Sequence, residues 1–120
     1  MIERREKMYI GYPYYSHLEW NDNLRTGHFH RYEGVTTFDR GHTHRYHGYT
    51  SRPIPVYGSH IHYYEGYTTV DRQHRHAYNG YTGPAIHVAG GQHIHFMRGR
   101  TSFVDEHDHR YENRTSEQMR

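Results

Sequence analysis

Between residues 28 and 115 the side-chain pattern repeats with a period of two. Six segments carry it: HFHRYEGVT, HTHRYHGYT, HIHYYEGYT, HRHAYNGYT, HIHFMRGRT and HDHRYENRT, starting at His28, His42, His60, His74, His93 and His107. They share His-x-His-x-Tyr-x-Gly-x-Thr, with Met97 replacing Tyr in the fifth copy and Asn113 replacing Gly in the sixth. Every shared residue falls on alternate positions, which is the repeat of a β-strand, and no 3.6-residue period competes with it. Each copy is therefore expected as a strand of about nine residues. One face carries His, His, Tyr, Gly and Thr; the other carries mixed residues such as Phe29, Arg31, Glu33 and Val35. The segment Lys7–Tyr12 reads as a degenerate seventh copy without its His.

The copies start 14, 18, 14, 19 and 14 residues apart, which defines three larger units of two copies each. The short connections, Thr37–Gly41, Thr69–Gln73 and Ser102–Glu106, suit hairpins, whereas parallel strands need longer crossovers. The longer ones, Ser51–Ser59 and Gly83–Gln92, read as connectors. The expected fold is all-β, an antiparallel meander of three repeated hairpins, with a β-solenoid-like stack as the alternative. Closing the first hairpin at Thr36 and His42 would set Gly34 opposite His44, Tyr32 opposite Tyr46 and His30 opposite Gly48. The second would set His62 opposite Gly80, Tyr64 opposite Tyr78 and Gly66 opposite His76. Glycine would then make room for imidazole. The expected domains are an aromatic-rich arm at 1–27, with Tyr9, Tyr12, Tyr14, Tyr15 and Trp20; the repeat domain at 28–115; and a tail at 116–120.

Composition sharpens the problem of what holds this fold together. The 120 residues include 15 His, 14 Tyr, 12 Gly and no Cys, with Leu only at Leu18 and Leu24. So little aliphatic content builds a weak core, and disulfides cannot help. Metal, aromatic packing and oligomerisation remain as staples. A net charge of +2 gives no electrostatic footprint for nucleic acid. There is no apolar run long enough for a membrane span and no secretory signal, so the expected location is cytoplasmic, with an extracellular, spore or cell-surface assembly as the other possibility.

The chemistry lies in the His pairs: His28 and His30, His42 and His44, His60 and His62, His74 and His76, His93 and His95, His107 and His109. Chance placement would give roughly two such pairs rather than six. Residues i and i+2 of a strand project from one face, ~6.5–7 Å apart, so their imidazoles can converge on one ion. Imidazole suits zinc, copper or nickel. Each pair is only half a site, and neighbouring strands of a flat meander put their pairs at opposite ends. Closure of the sheet, stacking of sheets or contact between subunits would have to complete it, which favours a homo-oligomer. His17, His47, His87, Asp39, Asp71, Asp105 and Asp108 are the candidate helpers; Asp39 and Asp71 also suit turns. A second reading is a self-assembling filament or coat protein in which His and Tyr mainly pack, since repetitive strands leave edges that invite pairing. Catalysis is not expected. His28 to Glu33 and His60 to Glu65 are faintly similar to the first metal motif of cupins, but both Glu fall on the strand face opposite the His, and no second motif follows. No phosphate loop, nucleophile elbow or Cys nucleophile is present.

The repeated His-x-His-x-Tyr-x-Gly-x-Thr strands, over roughly residues 28–115, resemble the YmaF family of small His-rich bacterial proteins. The resemblance implies a bacterial origin and no mechanism, so the metal reading rests on the residues.

Overall fold

In the computed structural model, which describes residues 27–120, each repeat unit is a hairpin of two five-residue strands. The strands are β1 (Arg31–Val35) with β2 (Arg45–Tyr49), β5 (Tyr63–Tyr67) with β6 (Ala77–Tyr81), and β9 (Phe96–Arg100) with β10 (Arg110–Arg114). The longer connections are not plain loops. They fold into two small hairpins, β3 (Ile54–Val56) with β4 (Ser59–Ile61) and β7 (Ile86–Val88) with β8 (Gln92–Ile94). The fold is the all-β antiparallel meander. The aromatic arm, the degenerate seventh copy and His17 lie outside the described residues.

The register differs from the sequence expectation by two residues. Tyr32 stands opposite Gly48 and Gly34 opposite Tyr46; Tyr64 opposite Gly80 and Gly66 opposite Tyr78. The cause lies at the hairpin tips. Asp39 and His42 exchange both backbone bonds around a two-residue turn, Arg40-Gly41, with positive φ at both positions (54° and 82°), as a type I′ turn requires. The next bond inward runs from Thr36 N to His44 O, so the first strand carries one residue more than the second between these points. That extra residue makes a bulge, which bends the strand outward. Arg72-Gln73 and Asp105-Glu106 form the same turn without glycine (φ 55°, 67°, 54° and 66°).

The bulge lets the meander close into a ring. At each tip the freed amide crosses to the neighbouring hairpin: Thr37 N donates to Arg110 O, Thr69 N to Arg45 O and Ser102 N to Ala77 O, each at 2.8 Å. At the other ends Ser51 N donates to Tyr63 O, Gly83 N to Phe96 O and Ser116 N to Arg31 O. Neighbouring hairpins thus share one backbone bond near each end and no continuous ladder between. The segment read as a tail takes part in this closure, and Met119 forms a bridge with Phe29.

Ring closure turns the repeated face inward. Its middle layer holds Tyr32, Tyr46, Tyr64, Tyr78, Tyr111 and Met97, all buried, and these are the buried hydrophobic residues among those described. Tyr32 and Tyr78 hydroxyls lie 2.9 Å apart, those of Tyr64 and Tyr111 2.8 Å apart, and Tyr46 donates to Asn113 Oδ1 at 2.7 Å. Each phenol therefore keeps a hydrogen-bond partner inside a core without Ile, Leu or Val. Glycine opposes tyrosine, not imidazole, because the phenol lies across it. A Cβ on Gly66 would sit 2.6 Å from the Tyr78 hydroxyl oxygen.

Candidate metal centres

The repeat puts six imidazoles at each end of the tyrosine layer. His28, His30, His60, His62, His93 and His95 meet at one end, with ligand nitrogens all within 4.8 Å of one another. At the other end His42, His44, His74, His107 and His109 satisfy the same limit. His76 completes this second group, its ring edge-on to His44, His74, His107 and His109 at 4.8–4.9 Å between centroids. The twelve histidines singled out by the repeat thus form two clusters, each assembled within one chain. The geometric need for a partner subunit to complete a site, expected from a flat sheet, falls away, because closure brings three pairs together.

Within each cluster the second His of every pair is the inner one, and its orientation is fixed by the strand next door. His30 Nδ1 donates to Ser116 O, His62 Nδ1 to Ser51 O and His95 Nδ1 to Gly83 O, each at 2.8 Å. His44, His76 and His109 donate likewise to Thr69 O, Ser102 O and Thr37 O at 2.9, 2.8 and 3.0 Å. A carbonyl can only accept, so each of these rings carries its proton on Nδ1 and turns a bare Nε2 toward the cluster centre. The backbone beneath is pinned too. The repeat Thr accepts from the inner His amide, as in His30 N to Thr50 Oγ1 and His44 N to Thr36 Oγ1, both 3.0 Å.

The outer His of the second cluster are held in the same tautomer by their own turns: His42 Nδ1 donates to Arg40 O, His74 to Arg72 O and His107 to Asp105 O, at 3.0–3.1 Å. In the first cluster the outer nitrogens form a close triangle, with Nε2 separations of 3.2, 3.2 and 3.0 Å among His28, His60 and His93. The Nε2 atoms of His30, His62, His95, His76, His107 and His109 are buried with no hydrogen-bond partner.

Burial keeps the rings of the first cluster and the inner rings of the second neutral. It pushes His28 and His60 down to about 4, His30 to about 3 and His62 to about 2, and the neighbouring imidazoles add to the effect. His44, His76, His93, His95 and His109 are also pushed down, chiefly by burial. Neutral imidazole is the form that binds a metal ion.

The candidate helpers divide. Asp71 Oδ2 lies 3.2 Å from His44 Nδ1, Asp39 Oδ2 3.2 Å from His109 Nδ1 and Asp105 Oδ2 3.2 Å from His74 Nδ1. These carboxylates stand behind the ring, on the side away from the cluster centre, where they would orient the imidazoles rather than face an ion themselves. Asp108 faces Arg100 at 3.4 Å instead. His47 is exposed on the outer face opposite Glu33, and His87 is exposed, its ring 6.3 Å from that of His93 between centroids. Glu33 and Glu65, the carboxylates of the cupin-like comparison, are exposed on the outer face.

Sequence reasoning missed the residue after the repeat Thr. Thr37, Ser51, Thr69, Ser102 and Ser116 each give a carbonyl to an inner His and a hydroxyl to a backbone amide of the adjacent hairpin, as in Arg110 N to Thr37 Oγ1 and Arg45 N to Thr69 Oγ1 at 3.0 Å. The signal was present: a hydroxyl follows the Thr in five of the six copies, Gly83 being the exception.

No curated protein and no solved structure matches the chain. A family model does, over residues 25–116: YmaF, described as spore germination protein GerY/YamF. With all six repeat copies, their His pairs and most of its length inside that match, the chain belongs to the YmaF family.

Proposed function

We propose that this protein binds two transition-metal ions, one in each His cluster, and that the ions fasten the two ends of the strand ring. The observation that carries this reading is the set of orphaned nitrogens. An acceptor buried without a partner costs roughly 1–3 kcal/mol, and six buried Nε2 atoms have none. An ion at each centre would give all of them a partner at once. The Nδ1–carbonyl bonds behind them match the outer shell of histidine–metal sites, where the second ring nitrogen is tied to a carbonyl or carboxylate. The core supports the same reading, because tyrosines and one methionine provide its buried apolar surface. The ions would supply cross-links that a small domain otherwise obtains from disulfides.

The role is storage, buffering or structural stabilisation rather than catalysis. Purified without a tag and dialysed, the protein should carry two ions per chain, and chelation should lower its melting temperature. Fewer than one ion per chain, with no loss of stability on chelation, would contradict the proposal.

Self-association is the second reading. The observation that favours it is the exposure of large aromatic residues on the ring, Tyr49, Tyr67, Phe38 and Phe103, each 60–71 % accessible. The family's description ties its members to spore germination, a setting compatible with a coat or surface assembly. Sedimentation of the metal-loaded chain tests it: a monomer at high concentration would exclude it without affecting the metal proposal.

A further inference from the structure

The arrangement of the rings defines a coordination number. In the first cluster every imidazole stands edge-on to all the others but one, at 4.5–5.1 Å between centroids. The excepted pairs are His28 with His95, His30 with His60, and His62 with His93. The second cluster repeats this at 4.8–5.1 Å, and its excepted pairs are His42 with His76, His44 with His107, and His74 with His109. Six vertices, each adjacent to all others except a single opposite one, make an octahedron.

The nitrogen spacings have the matching scale. Two nitrogens ~2.1 Å from one ion lie ~3.0 Å apart at a right angle, ~3.4 Å apart at the tetrahedral angle and ~4.2 Å apart when opposite. The outer triangle of the first cluster measures 3.0–3.2 Å. In the second, His74 Nε2 lies 3.3 Å from His42 Nε2 and 3.2 Å from His44 Nε2. The inner rings His30, His62 and His95 stand 4.5 Å apart in all three directions, so no one of them is withdrawn from the centre.

We infer that each cluster takes its ion in a six-coordinate, all-imidazole shell, and that the ion is one that accepts six nitrogens: iron(II), cobalt(II) or nickel(II). This rests on the metal-binding proposal above. A four-coordinate zinc ion would leave two of the six converging imidazoles at each centre without a bond to the ion, and the carbonyl bonds behind the inner rings prevent those rings from turning away. Copper(II) favours a tetragonal field, which would require one opposite pair to draw back inside a ring of strands equivalent on three sides. Iron(II), cobalt(II) and nickel(II) accept six equal donors. The filled shell also leaves no open position, so neither ion would activate water or bind a substrate.

Cobalt(II) absorption tests the inference on the full metal-free chain. The expected result is uptake of two cobalt ions per chain with the weak visible bands of a six-coordinate centre, unchanged by added azide. His28→Ala, at the half-buried rim, should open one position and make the spectrum respond to azide. Two cobalt ions with the intense bands of a tetrahedral centre, or an azide response in the unaltered protein, would overturn six-coordination and leave metal binding standing. No uptake of cobalt would overturn six-coordination, and no uptake of zinc, copper or nickel either would overturn metal binding as well.

Discussion

Met97 and Asn113 stand directly opposite each other on β9 and β10, and they are the two departures from the repeat consensus. Elsewhere this cross-strand pair is Tyr with Gly. Methionine here removes the phenol that would lie across the partner, and the space admits a Cβ. Asn113 Nδ2 then lies 3.5 Å from Met97 Sδ, and its Oδ1 accepts from Tyr46, the phenol whose symmetric partner the methionine removed. The exceptions compensate each other. Met97→Tyr alone should destabilise the fold by about 1–3 kcal/mol through overpacking, and Asn113→Gly by about 1–2 kcal/mol through loss of the Tyr46 bond. Together they restore the consensus, so the double variant should be more stable than the sum of the single effects by at least about 1 kcal/mol. Additive effects in chemical denaturation would refute the coupling.

The tyrosine–glycine pairs predict a sharp position dependence for alanine. Gly66→Ala places a Cβ against Tyr78 and must displace its hydroxyl from Tyr32. A loss of about 1–3 kcal/mol is expected. Gly83 has nothing closer than Phe96 O at 3.9 Å, so Gly83→Ala should stay within about 0.5 kcal/mol. Equal effects at the two positions, read from thermal melts, would contradict the packing described.

Acid should unfold the metal-free protein. Burial holds His30 at about 3 and His62 at about 2, whereas an unfolded histidine titrates near 6.5. Between those values the unfolded chain binds protons that the folded chain refuses. Stability is therefore fully present above pH ~6.5 and is lost as pH falls, by about 1.4 kcal/mol per pH unit for each such ring. Cooperative unfolding at mildly acid pH is expected in circular dichroism. Imidazole signals that titrate near 6.5 while the fold stays intact would show that these rings are not held neutral.

The two centres should bind with unequal affinity. Asp39, Asp71 and Asp105 stand behind His109, His44 and His74, and all six rings of that cluster donate from Nδ1 to a carbonyl. In the other cluster His28 lies under the positive charges of Arg52 and Arg120 instead. The second cluster should therefore fill first. Replacing Asp39 and Asp71 by Asn should weaken that site alone, by about 10–100-fold. Calorimetry showing two identical sites, or a loss at both, would contradict this.

The strands and the set of histidines that cluster were legible because both follow from period two: it fixes which residues share a face, and the His pairs share one. The register was not. A five-residue link such as Thr37–Gly41 can be a plain loop or a bulge followed by a two-residue turn, and only the first hairpin has a Gly at its tip to mark the turn. Ring closure was hidden for another reason. It depends on single bonds between residues far apart in sequence, such as Thr37 to Arg110, which leave no local pattern beyond the extra hydroxyl after the repeat Thr. Without closure each His pair looked like half a site awaiting a second chain.

The most direct test of the two-ion account is anomalous scattering from crystals of the metal-loaded protein, collected on either side of the absorption edge of the bound metal. The account predicts two peaks per chain, one among His28, His30, His60, His62, His93 and His95 and one among the six histidines at the opposite end. Ions scattered over surface residues such as His47 and His87, with neither centre occupied, would contradict it.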